Sequence, residues 1–327
     1  MRVVRITEPG GPEVLEMGEV DRPEPGPDQI RVRVRAAGVN RAELLQRRGL
    51  YPSPPGWPAD VPGLEYAGEV EAVGECVQEW RPGERVMGLV GGGGYAEYVV
   101  VHEREAIAVP DGLAWEEAGA VPEVFITAHD ALFTRGRLAL GEAVLVHAVG
   151  SGVGTAALQL AKVAGATVIG TSRTEWKLGR AVELGLDVPI DASDVDFADS
   201  VLEATAGRGV DLILDLVGGG YLPQNLASLA LLGRIVVVGL TAGASAEIDL
   251  GIVLRKRLTM VGTSLRTRPL EEKIAAVQAF ARHALPLFGK GRIRPVMDET
   301  FAMDRAAEAH RRMEANRNFG KIVLVWE

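Results

Sequence analysis

Cysteine is all but missing from this sequence: Cys76 is the one thiol in 327 residues. An intrachain disulfide and any multi-cysteine metal site are therefore excluded. Basic charge is also short, with 35 Lys+Arg against 44 Asp+Glu and a formal net charge of -9. A nucleic-acid footprint needs a basic stripe, so no such partner is expected. No apolar run approaches the length of a membrane span, and no apolar segment follows a basic start. These absences together lead us to expect a cytoplasmic protein that engages neither membrane nor nucleic acid.

What is present is apolar residue in quantity, 47% of the chain, enough for about two domains with a core each. The most informative stretch is Ala143 to Ala166. Val144–Ala148 reads as a short buried strand, Gly150, Gly152 and Gly154 follow at once, and Thr155–Ala164 reads as a helix. Strand, glycine turn and helix make a dinucleotide-binding unit, because glycines admit a pyrophosphate close to the backbone and the helix N-terminus offers N–H donors to it. Gly150, Ser151, Gly152, Val153 and Gly154 are the candidate phosphate contacts, with Thr155 standing where GxGxxG would place its third glycine.

Residues 1 to about 120 alternate short apolar segments with Gly/Pro turns: Ile30–Arg35, Ala67–Val73, Arg85–Val90 and Tyr95–Val101. From about 122 strands alternate with helices. The strands are Val144–Ala148, Thr167–Ser172, Val188–Ile190, Leu212–Val217, Ile235–Leu240 and Thr259–Leu265; helices are expected over Glu175–Leu184, Val195–Ala206 and Tyr221–Leu231. Six such strands fit a doubly wound parallel sheet. Helices are expected at Glu271–Ala284 and near Arg305–Glu314, and the closing strand Ile322–Trp326 is expected to return to the first domain. The resulting division is 1–121, 122–265 and 266–327.

Cofactor choice is read after the second strand of the sheet. An NAD enzyme places Asp or Glu there for the ribose 2′-OH, whereas this chain has Thr171-Ser172-Arg173-Thr174 with Lys177 one turn on. Ser172, Arg173 and Lys177 can bond a 2′-phosphate, so NADPH is the expected cofactor. Gly239, Leu240, Thr241 and Ser264 end the fifth and sixth strands, on the rim where a dinucleotide lies.

Several motifs in order resemble the medium-chain dehydrogenase/reductase superfamily, and most closely its zinc-free, zeta-crystallin-like quinone oxidoreductase branch. Gly63-Leu64-Glu65-x-x-Gly68 with Gly74 and Val77 is similar to GHExxGxxxxxGxxV except at the histidine. Gly94-Tyr95-Ala96-Glu97-Tyr98 resembles GxYAEY, and Gly141-Glu142, Gly152-Val153-Gly154, Gln159 and Lys162 resemble the quinone oxidoreductase signature. Asn40-Arg41-Ala42-Glu43 leading to Gly49-Leu50-Tyr51-Pro52 resembles the branch's nicotinamide-side segment, and Glu314-Ala315-Asn316-x-Asn318-x-Gly320-Lys321 its closing segment. The resemblance implies an α/β protein with a GroES-like β domain, a Rossmann domain with a six-stranded parallel sheet, and a C-terminal return. It also implies catalytic roles for Asn40, Tyr51 and Thr127 and a cofactor contact at Asn318. Glu65 is expected to anchor a turn.

Zinc chemistry is not expected. The motif histidine is Leu64, the first-cysteine region reads Gly38-Val39-Asn40, and His102, His129, His147, His283 and His310 are scattered without ligand spacing. Without zinc an alcohol oxygen has nothing to polarise it. The expected activity is therefore NADPH-dependent reduction of quinones or related enones by a homodimer. Reduction of enoyl thioesters or alkenals is the alternative, and a non-catalytic, crystallin-like NADPH-binding protein is a rival of another class. The sequence does not distinguish among these acceptors, nor one- from two-electron reduction.

Overall fold

The computed structural model describes residues 1–194 and 196–326. Its chain divides into two compact units, Thr127–Ser264 and the pair of segments Met1–Ile126 with Leu265–Glu327. The boundary falls inside the helix Pro122–His129.

Thr127–Ser264 is built on a six-stranded sheet in the order Val188–Asp191, Thr167–Ser172, Ala143–Val146, Val210–Asp215, Leu229–Val237, Thr259–Gly262, with every pair parallel. Parallel strands must be covered on both faces, which explains their unbroken apolar runs. Leu145, Ile169, Ile213 and Ile235 are wholly buried and pack with Phe197, which stands at the N-cap of the helix Ala198–Ala204, and with Leu226 of the helix Leu222–Ser228. The strand order reverses between Ala143–Val146 and Val210–Asp215, and such a switch point opens a crevice at the carboxyl ends of the strands.

Several elements differ from expectation: the strands expected over Ile235–Leu240 and Thr259–Leu265 are Leu229–Val237 and Thr259–Gly262, and the helix expected over Glu271–Ala284 is Leu270–Gly289. The helix expected over 221–231 is Leu222–Ser228, and the strand already begins at Leu229. Leu231 and Leu232, whose apolar character extends the helical pattern, are exposed, and Leu232 takes φ 65°, outside helical geometry. The helix expected from Val195 is Ala198–Ala204, with Val195 itself outside the described residues.

The other unit holds a seven-stranded sheet. Met297–Ala302, Lys321–Val325, Gln29–Val39, Glu65–Val73, Arg85–Leu89 and Ala106–Ala108 follow one another, and Tyr98–His102 pairs with Gln29–Val39. Lys321–Val325 lies antiparallel to Gln29–Val39, so the closing strand does return to the first part of the chain. Two of the motif glycines have a steric reason. A Cβ on Gly68 would sit 2.1 Å from the Arg33 carbonyl oxygen, and one on Gly74 would sit 2.0 Å from that of Gly26. Only a residue without a side chain permits these backbone approaches. Among the described residues no helix is long and apolar enough to cross a membrane.

Candidate active site

The glycine turn follows from its neighbours in the chain. After Ala143–Val146 the backbone passes through Ala148 in the left-handed region, φ 47°, and enters the helix Gly152–Val163. Ser151 caps that helix by accepting a 3.0 Å bond from the Gly154 N–H. Gly152 and Val153, in the first turn, have no helical acceptor for their N–H groups. A Cβ on Gly154 would stand 2.4 Å from the Ala148 carbonyl oxygen, so the turn closes on the helix only with glycine there. The helix end therefore fits the diphosphate of a dinucleotide: unused N–H donors, the positive end of a dipole and no carboxylate in the first turn.

The remaining cofactor candidates of this unit follow the carboxyl ends of the same parallel strands. Ser172 ends Thr167–Ser172, Gly239, Leu240 and Thr241 follow Leu229–Val237, and Ser264 follows Thr259–Gly262. The Ser172 hydroxyl is engaged in its own turn, accepting from the Thr174 N–H at 3.1 Å and donating to the Thr174 carbonyl at 3.3 Å. Lys177 lies 5.4 Å from the Trp176 ring centroid, and Arg173 is exposed.

Beneath the turn lies a buried polar chain that the sequence reading missed. Asn225 donates from Nδ2 to Asp215 Oδ2 at 3.1 Å, which leaves its Oδ1 as acceptor for His147 Nε2 at 2.6 Å. His147 Nδ1 then accepts from the Thr171 hydroxyl at 2.8 Å. Burial lowers the His147 pKa, so its ring is neutral, and Phe197 and Tyr221 enclose it edge-on. Asp215 Oδ1 accepts from the Val217 and Gly218 N–H groups, each at 2.8 Å, fixing the next loop along the sheet.

In the other unit Asn40 precedes the short helix Arg41–Arg47, and Glu43 Oε2 reaches back to accept from the Asn40 N–H at 2.8 Å. The Asn40 side chain is buried. Its Nδ2 donates to Glu65 Oε1 at 2.8 Å and its Oδ1 accepts from Lys321 Nζ at 2.8 Å. Lys321 also donates to Glu65 Oε1 at 2.6 Å and to the Val39 carbonyl at 3.1 Å. Glu65 opens the strand Glu65–Val73 and is the hub of this cluster, since its Oε2 accepts from the Glu123 N–H at 2.8 Å.

Glu43 continues the network. It accepts from the Leu64 N–H at 2.9 Å and from the Tyr95 hydroxyl at 2.6 Å, and burial raises its pKa. Tyr95 contacts His310 Nε2 at 3.2 Å, while Arg47 donates to His310 Nδ1 at 3.2 Å and pairs with Glu314. Arg47 can only donate, so the His310 proton is on Nε2. Burial and the nearby Arg47 charge push the His310 pKa down to about 3.

Tyr51 is tied to the same helix by Arg266, another residue the sequence reading missed. Arg266 donates to the Tyr51 carbonyl at 3.1 Å, to Gln46 Oε1 at 2.6 Å and to the Gly91 carbonyl at 2.8 Å. Its guanidinium lies 4.8 Å from the Tyr51 ring centroid. Thr127 is buried on the helix Pro122–His129, four residues after Glu123. Asn318 belongs to the unit of Asn40, and its Nδ2 donates to the Gly320 carbonyl at 3.0 Å, within its own turn. Among the described residues no group of three His, Cys, Asp or Glu side chains is placed to hold a metal ion.

The chain matches the alcohol dehydrogenase GroES-like domain over residues 26–111 and the zinc-binding dehydrogenase family over residues 152–282. A quinone oxidoreductase of Pseudomonas aeruginosa is 37% identical over 321 residues, covering 97% of this chain and 97% of that protein. The Escherichia coli quinone oxidoreductase complexed with NADPH superposes with a TM-score of 0.90 at 28% identity, covering 99% of this chain and 100% of that one. CurK enoyl reductase gives a TM-score of 0.88 at 27% identity, covering 100% and 99% of the two chains.

Proposed function

From the fact that this chain belongs to the medium-chain dehydrogenase/reductase superfamily, with quinone oxidoreductases among its relatives, we propose that it is a zinc-independent, NADPH-dependent reductase of quinones and related conjugated carbonyls. We further propose that it acts in the cytoplasm as a homodimer.

The observation that carries this reading is the seat of Lys321. By the resemblance, Leu64 and the segment Gly38-Val39-Asn40 stand where the superfamily's alcohol dehydrogenases have zinc ligands, and the ammonium of Lys321 takes up Asn40 Oδ1 and Glu65 Oε1. Those oxygens are spent on a fixed organic cation, which neither polarises an alcohol as a Lewis acid does nor leaves an open position. Such a site suits an acceptor that is electrophilic already, and there the protein's work is orientation.

When bound, a reduced nicotinamide supplies hydride. The Gly152 and Val153 N–H groups would hold its diphosphate, and Arg173 and Lys177 would hold the 2′-phosphate. Gly239, Leu240, Thr241 and Ser264 would border it in the same unit, and the roles that the resemblance implies for Asn40, Tyr51 and Thr127 would be to orient the carboxamide and the acceptor. The likeness to an enoyl reductase supports a second reading, reduction of an enoyl double bond with the same residues.

NADPH oxidation against a panel of ortho-quinones, para-quinones, enals and enoyl thioesters, with chelator present, tests both readings. Turnover of quinones is expected. Turnover of enoyl thioesters alone selects the second reading, and robust oxidation of simple alcohols with NADP, lost in chelator, overturns both.

A further inference from the structure

Three of the four acidic or phenolic groups around Asn40 are committed or wholly enclosed. Glu65 shares one oxygen between Lys321 and Asn40 and gives the other to the Glu123 N–H. Glu43 accepts from two backbone N–H groups and from Tyr95, and both Glu43 and Tyr95 are fully buried. Glu123 differs. Its side chain is only partly buried, and among the described residues its carboxyl oxygens have no hydrogen-bond partner. Its backbone N–H is held by Glu65 Oε2 at 2.8 Å, and the charges of Glu65, Lys321, Glu43 and Arg266 act on its carboxyl group. Thr127 lies four residues on, hence on the same face of the helix.

We propose that Glu123 is the proton donor of this site, a role that rests on the reductase reading above. As hydride reaches the acceptor, the Glu123 O–H bond breaks and an O–H bond forms on the acceptor oxygen. A quinone gains hydride and proton to become hydroquinone, the dihydronicotinamide is oxidised, and the carboxylate left on Glu123 recovers its proton from water.

The surroundings keep that proton in place. Burial first, and then the negative charge of Glu65, push the Glu123 pKa up to about 8, against the opposing pull of Lys321 and Arg266. A carboxylic acid that is still protonated at neutral pH and ionises just above it is matched to general acid work.

Glu123→Gln removes the proton and keeps the shape. Its kcat for a quinone is expected to fall about 100-fold, with Glu123→Asp in between and NADPH affinity, read by fluorescence, unchanged. Wild-type kcat should decline as pH rises through about 8, a limb that the Gln variant lacks. Infrared spectra of the ligand-free protein should show a carboxylic-acid C=O band at neutral pH that fades over the same range and is missing from the variant. A wild type that reduces quinones beside a Gln variant of full kcat and identical pH profile overturns the donor assignment and leaves the reductase reading standing. A wild type that reduces no acceptor overturns the reductase reading, and the infrared band still decides whether Glu123 holds a proton. Absence of that band overturns the assignment in either case.

Discussion

Lys321 Nζ stands 2.6 Å from Glu65 Oε1, and the two side chains are 3% and 0% exposed. Such a pair is weak evidence of net stabilisation, but removing one partner strands the other charge in a dry interior, which costs about 3–5 kcal/mol. Lys321→Met is therefore expected to lower the unfolding free energy by an amount of that order, read as a lower urea midpoint at unchanged slope. Glu65→Gln placed on top should recover part of the loss. An unchanged midpoint in Lys321→Met would show that water reaches Glu65.

Cofactor preference is expected to depend on Arg173 and Lys177. Each charge-assisted bond to a 2′-phosphate is worth roughly 1.5–3 kcal/mol, or about 10- to 150-fold in affinity. Arg173→Ala with Lys177→Ala should raise the KM for NADPH and leave that for NADH nearly unchanged. Ser172→Ala should act more weakly on cofactor choice, because its hydroxyl already holds the Thr174 turn. Equal losses with both cofactors would place the phosphate elsewhere.

Acid stability should carry the mark of His310. Its folded pKa, about 3, lies below the ordinary value of 6.5, so the unfolded chain binds the extra proton between those pH values. Stability from this group is therefore complete above about 6.5 and is lost as pH falls toward about 3, at roughly 1.4 kcal/mol per pH unit. Glu43, whose pKa is raised, works in the opposite sense: the folded state keeps its proton to higher pH, and that contribution is lost as pH rises. The difference between wild type and His310→Gln isolates the histidine. Denaturant titrations across this range should show a shallower acid slope in the variant, and parallel slopes would argue that His310 is protonated in the fold.

The sheet and the glycine turn could be read from the sequence because their signals are local. An apolar run, three glycines and a small-residue helix lie within one short stretch, and the alternation of strand and helix fixes the rest of the sheet. The cluster around Asn40 could be read only in part. Asn40 and Tyr51 sit in a contiguous segment, but Lys321 meets Glu65 across 256 residues, Arg266 meets Gln46 across 220, and Glu123 meets Glu65 across 58. No periodicity announces such a meeting. A lysine heading an apolar strand looks like a surface residue until a strand two places along the sheet brings a carboxylate to it.

Tyr51 is expected to orient rather than to supply an obligatory proton. Its ring is held by Arg266, and that contact needs no hydroxyl. Tyr51→Phe should then keep a substantial fraction of kcat with quinones, its main effect falling on KM. A loss of several orders of magnitude would make Tyr51 the essential acid and would favour enoyl reduction, where a carbon must be protonated.

The last prediction concerns assembly. Thr259–Gly262 ends the six-stranded sheet, paired with Leu229–Val237 on one side only among the described residues. An edge of this kind exposes a row of N–H and C=O groups that proteins cover or blunt. Nothing charged lies along it. Met260 is 47% exposed, and on the preceding helix Leu250 and Leu254 are 70% and 79% exposed. Apolar side chains beside an unpaired strand suit a two-fold copy of the same surface, in which each strand meets its twin antiparallel. Ultracentrifugation at micromolar concentration should therefore give twice the chain mass, and Met260→Lys with Leu254→Lys should shift it toward the monomer. A wild type that sediments as a monomer would leave this edge to some other partner.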